Sequence, residues 1–68
     1  MTDPIHDGIT LAEEAVRDIA RETGCTRAES ARMAMCEIES WSRGVVAPEL
    51  WPATLDAALS HLSSIAAR

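Results

Sequence analysis

Apolar residues recur along this chain with a helical period. Ala12, Ala15, Val16, Ile19 and Ala20 stand at i, i+3, i+4, i+7 and i+8, a spacing that gathers them on one face of a helix. Glu13, Glu14, Arg17, Asp18 and Arg21 fall on the opposite side. Thr10 and Glu13 have capping-box spacing, in which the hydroxyl accepts from one free backbone amide while the carboxylate reaches back to another. Gly24 supplies a residue at ease in the left-handed conformation that ends helices. Together these predict a first helix over 11–23. Thr26 and Glu29 repeat the cap spacing, and Ala28, Ala31, Ala34, Met35, Ile38 and Trp41 form the stripe of a second helix over 27–43, stopped by Gly44. Val45 to Glu49 read as a loop. Pro52 suits the first turn of a third helix, where its missing amide costs nothing. Leu55, Ala58, Leu59, Leu62, Ile65 and Ala66 give that helix, over 52–67, the cleanest apolar stripe of the chain.

Strands require period-two alternation, and only Ile5 to Leu11 approaches it, interrupted by Gly8. The fold class expected is therefore all-α: a compact three-helix bundle, residues 10–68, preceded by a loose N-terminal arm, residues 1–9, in which Pro4 and Gly8 act as breakers. Stripes this rich in alanine imply close approach of the helices. Trp41 and Trp51 flank the second connection and are expected to cap one end of the bundle.

Size and charge narrow the functional classes. A chain of 68 residues buries only about 60% of the surface it exposes when unfolded, so self-association, with a homodimer as the simplest form, or capture by a partner is expected. The formal net charge is −5 and every cation is an arginine, which works against a broad nucleic-acid or anionic-membrane surface. No apolar run nears the roughly 18 residues of a membrane span. Asp3, Pro4 and Asp7 stand where a secretory signal would carry positive charge, and the expectation is a cytoplasmic protein.

Catalytic and metal chemistry find little support. Cys25 and Cys36, placed along one helix, would lie roughly 16 Å apart against a limit of about 7 Å between bridged α-carbons. Neither cysteine has zinc-ligand spacing to a histidine, and His6 and His61 lie at opposite ends of the chain. No nucleophile–base pair or glycine-rich phosphate loop occurs at usable spacing. Neither an enzyme, a metal nor any other cofactor is expected.

Candidate interface residues come instead from what the stripes leave over. With Ala28 as zero, the core arc of the second helix runs from about 220° to 360°, and Met33 and Cys36 fall outside it at about 140° and 80°. A methionine and a cysteine on a polar face suit an adaptable contact. On the back of the third helix Ala53, Ala57, Ser60, Ser64 and Ala67 recur at spacings of four and three, small enough to admit a neighbouring backbone. Trp51, beside a loop, is of a residue type enriched at interfaces. The acidic residues Glu13, Glu14, Asp18 and Glu22, extended by Glu37 and Glu39, could imitate a row of phosphates toward a nucleic-acid-binding partner. The plainer alternative is a solvated face whose carboxylates pair locally with Arg17 and Arg21.

The segment Ile19 to Met35, I-A-R-E-T-G-C-T-R-A-E-S-A-R-M-A-M, is similar to the helical hairpin of ribbon-helix-helix regulators and of helix-turn-helix modules. It has a helix ending in T-G, a Thr cap, then Arg, Glu and Arg. The ribbon-helix-helix resemblance implies a DNA-binding regulator with a base-reading strand at Ile5 to Thr10 and Thr26 at the phosphate-touching start of the second helix. Arg27 and Arg32 would be further phosphate contacts. The helix-turn-helix resemblance implies a recognition helix carrying Glu29, Glu37 and Glu39 beside its arginines, and a core position at Ser30. In size and acidity the chain also resembles phage-encoded inhibitors and antitoxins. The leading expectation is a small acidic regulator that binds another protein as an inhibitor, antitoxin-like neutraliser or adaptor, and the alternative is the DNA-binding regulator.

Overall fold

The computed structural model describes residues 3–41 and 48–68. Among them lie three helices, α1 Pro4–Thr23, α2 Arg27–Trp41 and α3 Trp51–Ala66, and no strand. Each helix packs on both others, and α1 and α3 share the most extensive contact. The chain is an all-α three-helix bundle. The side chains of Glu39 and Trp41, the end of the second helix expected at 42–43, the stop expected at Gly44 and the loop residues up to Ala47 lie outside the described residues.

The N-terminal segment departs from the expectation of a loose arm. Helix α1 begins at Pro4, not after Thr10. Asp3 is its cap: the Asp3 carboxylate accepts from the Ile5 amide at 3.0 Å, and the Asp3 carbonyl accepts from Asp7 N at 2.9 Å. Pro4 in the first turn has no amide to leave unsatisfied, and Asp7 in the same turn meets the positive end of the helix dipole. Thr10 and Glu13 therefore sit inside the helix, and their spacing is not used as a cap. Gly8 does not break the helix because α3 lies directly against it. A Cβ at Gly8 would stand 2.5 Å from the Thr54 carbonyl oxygen, 2.8 Å from Ala57 Cβ and 3.0 Å from the Ala58 nitrogen. Glycine is what lets the two backbones meet there. The same contact rules out the base-reading strand implied by the ribbon-helix-helix resemblance, since Ile5 to Thr10 is helical.

The turn between α1 and α2 follows its local signals. Gly24 adopts φ 74°, and its amide donates to the Ala20 carbonyl at 2.8 Å. The Thr26 hydroxyl accepts from Glu29 N at 3.2 Å and the Thr26 carbonyl from Ser30 N at 2.9 Å, so Thr26 caps α2. Helix α3 starts at Trp51 with Pro52 in its first turn. Thr54 is fully buried, and its hydroxyl is satisfied by donating to the Leu50 carbonyl at 2.9 Å.

Among the described residues the buried apolar core is Ala12 and Val16 of α1, Ala31, Ala34 and Ile38 of α2, and Ala58, Leu62 and Ile65 of α3. Half of this set is alanine, which brings helix axes toward the short end of the usual 8–10 Å range. Ala15, Ile19, Leu55, Leu59 and Ala66 pack around its edge. The buried face of α2 is rotated from the one its apolar stripe suggests. Ser30 is fully enclosed, whereas Met35, expected in the core, is 36% exposed. The Ser30 hydroxyl oxygen has no hydrogen-bond partner among the described residues.

Candidate protein-binding groove

Helix α1 presents two edges beside its buried face, and they have different chemistry. Along one edge Leu11, Ala15 and Ile19 recur every four residues, all half-buried, with Glu14 and Asp18 exposed beside them. Glu37 of α2 stands across from this edge. These six side chains line a groove of about 250 Å³ between α1 and α2. Its floor is aliphatic and its rim carries three carboxylates. Asp18 is bonded to Arg21 at 2.6 Å, but both side chains are well exposed, so solvent screens the pair and the rim stays negative.

The other edge of α1 is occupied by a polar pairing that ties α1 to the start of α2, with His61 of α3 beside it. Arg27 Nη2 donates to Glu13 Oε2 at 2.9 Å and to Oε1 at 3.2 Å, and His61 Nε2 of α3 approaches Oε1 at 3.5 Å. The last distance is too long for a well-formed hydrogen bond, so His61 acts on Glu13 through space. The Arg27 guanidinium holds the Glu13 carboxyl below the ordinary carboxylate range; partial burial opposes it, and His61 adds a smaller pull in the same direction as Arg27. Glu13 thus belongs to the scaffold. Of the local pairing expected with Arg17 and Arg21, the pair of Arg21 with Asp18 is formed among the described residues, while the Glu13 carboxylate turns to Arg27.

The remaining candidates divide between the surface and the scaffold. Glu14 and Asp18 reach the groove, and Glu22 is exposed farther along α1. Met33, 42% exposed, lies on α2 one turn before Glu37, near that side of the helix but outside the groove's own lining. Cys36 is exposed on another side of α2, and both cysteines are free thiols. Trp51 is half-buried at the start of α3. Ala57 is a close-approach position, as its size suggests, but the backbone it admits is that of Gly8 in the same chain. Ser60 and Ser64 are exposed, and nothing brings them together with the groove. Among the described residues no group of three His, Cys, Asp or Glu side chains is placed to hold a metal ion.

The residues nominated for phosphate are already engaged within the chain. Thr26 caps α2, Arg27 is bonded to Glu13, and Arg32 Nη1 donates to the Ala66 carbonyl at the end of α3 at 3.4 Å. Thr26 and Arg27 do border a second hollow, of about 450 Å³, with Ala28, Ile65 and Arg68, where the guanidinium of Arg27 is bonded to the carboxylate of Glu13.

No family model, no curated protein and no solved structure matches this chain.

Sequence reasoning placed Ala15 and Ile19 in the core and passed over Leu11. A signal was present: on a helical wheel Leu11, Glu14 and Asp18 share an arc of only about 60°, so an aliphatic residue and two carboxylates had to emerge side by side. The opposing Glu37 could be found only from the packing of α2 on α1. Among the described residues, no helix is long and apolar enough to cross a membrane.

Proposed function

We propose that this chain is a small acidic regulator of the cytoplasm that acts by helix-mediated contact with another protein, as an inhibitor, antitoxin-like neutraliser or adaptor. The observation that carries the reading is the groove between α1 and α2, an aliphatic floor of Leu11, Ala15 and Ile19 rimmed by Glu14, Asp18 and Glu37. Burial of apolar surface supplies association energy and charge around it supplies orientation and encounter rate. Met33, exposed one turn from Glu37 on α2, offers a further apolar side chain beside the groove. The DNA-binding alternative is favoured less: Ile5 to Thr10 is helical where its ribbon-helix-helix form needs a strand, and Thr26, Arg27 and Arg32 already make contacts within the bundle.

The test is affinity capture from native lysate with the wild-type chain, with Ala15→Arg, which fills the groove and neutralises its rim, and with Ser60→Arg on the exposed side of α3. A protein retained by the wild type and Ser60→Arg but lost by Ala15→Arg supports the reading. Equal retention by all three chains removes the groove from the account, and salt-sensitive shifting of short DNA duplexes by the wild-type chain restores the DNA-binding alternative.

A further inference from the structure

From the same groove, and resting on the protein-binding reading, we infer that the partner presents a basic amphipathic helix: aliphatic anchors one turn apart, flanked by arginine or lysine. The volume of about 250 Å³ lies below the roughly 300–1,000 Å³ of pockets that enclose drug-sized ligands, which selects side-chain anchors over a free small molecule. Its shape agrees. Leu11, Ala15 and Ile19 are spaced at i, i+4 and i+8, a floor of about 12 Å along the axis of α1. That length matches two turns of a second helix laid into the groove, the mode in which an amphipathic segment is read through anchors at i and i+4.

Charge decides among occupants. Glu14, Asp18 and Glu37 face whatever enters, and among the described residues the ion pair made by these three carboxylates is the exposed one of Asp18 with Arg21. An acidic helix or a nucleic-acid backbone would meet like charge on both sides of the groove. A second copy fares no better, because its own α1 carries the same carboxylates on a chain of net charge −5. A helix with cations beside its aliphatic anchors gains on both counts, and water is excluded from the ion pairs as the anchors seat. Exposed Met33 gives such a helix a further apolar contact beyond Glu37.

The experiment uses the full chain and three synthetic helical peptides of about 15 residues. The first carries two leucines one turn apart flanked by arginines, the second has those arginines replaced by glutamates, and the third has the leucines replaced by serines. Binding is read by fluorescence anisotropy at about 50 mM and about 500 mM salt, and the site by the methyl resonances of Leu11, Ala15 and Ile19. The first peptide is expected to bind at least about tenfold more tightly than either other, to weaken severalfold at high salt and to shift those three methyl signals. The chain with Glu14→Arg and Glu37→Arg, both at exposed positions, is expected to prefer the glutamate peptide. Equal binding or no binding of the three peptides overturns the inference, as do methyl shifts confined to other residues. Should a captured protein still depend on Ala15 while the peptides fail, protein binding stands and the basic-helix partner does not.

Discussion

Gly8→Ala separates two accounts of the N-terminal segment. If residues 1–9 formed a loose arm, an added methyl would be neutral or would stabilise slightly by restricting the unfolded chain. In the bundle the methyl enters a space bounded by the Thr54 carbonyl oxygen at 2.5 Å, Ala57 Cβ at 2.8 Å and the Ala58 nitrogen at 3.0 Å. Two of these are backbone atoms and the third is attached directly to it, so none can rotate away and α1 must move from α3. Overpacking of this kind costs about 1–3 kcal/mol. Replacing glycine inside a helix returns about 0.5–1 kcal/mol, which leaves a net loss of up to about 2.5 kcal/mol, with mid-range near about 1 kcal/mol. For a domain of this size a mid-range loss lowers Tm by about 4–8 °C. Circular dichroism melts of wild type and Gly8→Ala give the number directly. The double variant Gly8→Ala/Ala57→Gly removes the Cβ–Cβ clash but not the one with Thr54, so a double-mutant cycle should show a favourable coupling of about 0.5 kcal/mol or more. An unchanged or raised Tm for Gly8→Ala would refute the close contact and return the segment to an arm.

Other perturbations bear on the rest of the scaffold. Glu13→Gln should cost about 0.5–1 kcal/mol at neutral pH in urea denaturation, the range for a partly exposed pair. Because the folded state holds the Glu13 carboxyl below its ordinary range, its contribution is present above the unfolded carboxyl pKa and is lost as pH falls through the folded one. The variant should therefore lose less stability than wild type between neutral pH and strong acid, and parallel pH curves would contradict that role. Ser30→Ala removes a fully buried hydroxyl with no partner among the described residues and should be neutral or stabilising by up to about 1 kcal/mol; a clear drop in urea midpoint would mean the hydroxyl is satisfied. Leu62→Ala empties the fully buried centre of α3 and should cost about 2–5 kcal/mol, a large share of the roughly 3–10 kcal/mol expected for 68 residues, so its helical signal should melt near ambient temperature.

What could be read without coordinates was what neighbouring residues decide among themselves. The stripe of α3, the left-handed Gly24 and the Thr26 cap are all products of spacing within one or two turns, and each stands where the sequence places it, while of the α1 stripe Ala12 and Val16 are buried and Ala15 and Ile19 lie at the core's edge. The start of α1 was also written locally, as Asp3 followed by Pro4, a capping residue before a first-turn proline. Gly8 reads locally as a breaker, yet its worth depends on Thr54 and Ala57, more than forty residues away. Pairs within about one turn, such as Glu13 with Arg17 or Asp18 with Arg21, are visible in a sequence, whereas the partner of Glu13 is Arg27, fourteen residues on, through the turn at Gly24. The rotation of α2 that buries Ser30 and exposes Met35 is likewise set by contact with two other helices. The groove combines both kinds of information: the α1 edge is periodic and legible, whereas the carboxylate of Glu37 joins it only through tertiary packing.

The central claim is that the α1/α2 groove is where another protein sits, and site-specific photo-crosslinking in the native cell tests it most directly. A photo-reactive residue is placed at the position of Glu14 on the rim and, in a separate chain, at the position of Ser60 on the exposed side of α3. The account predicts a discrete adduct with a different protein from the Glu14 position and none from the Ser60 position. An adduct from Ser60 alone, an adduct with a second copy of this chain at Glu14, or none at either position would contradict it.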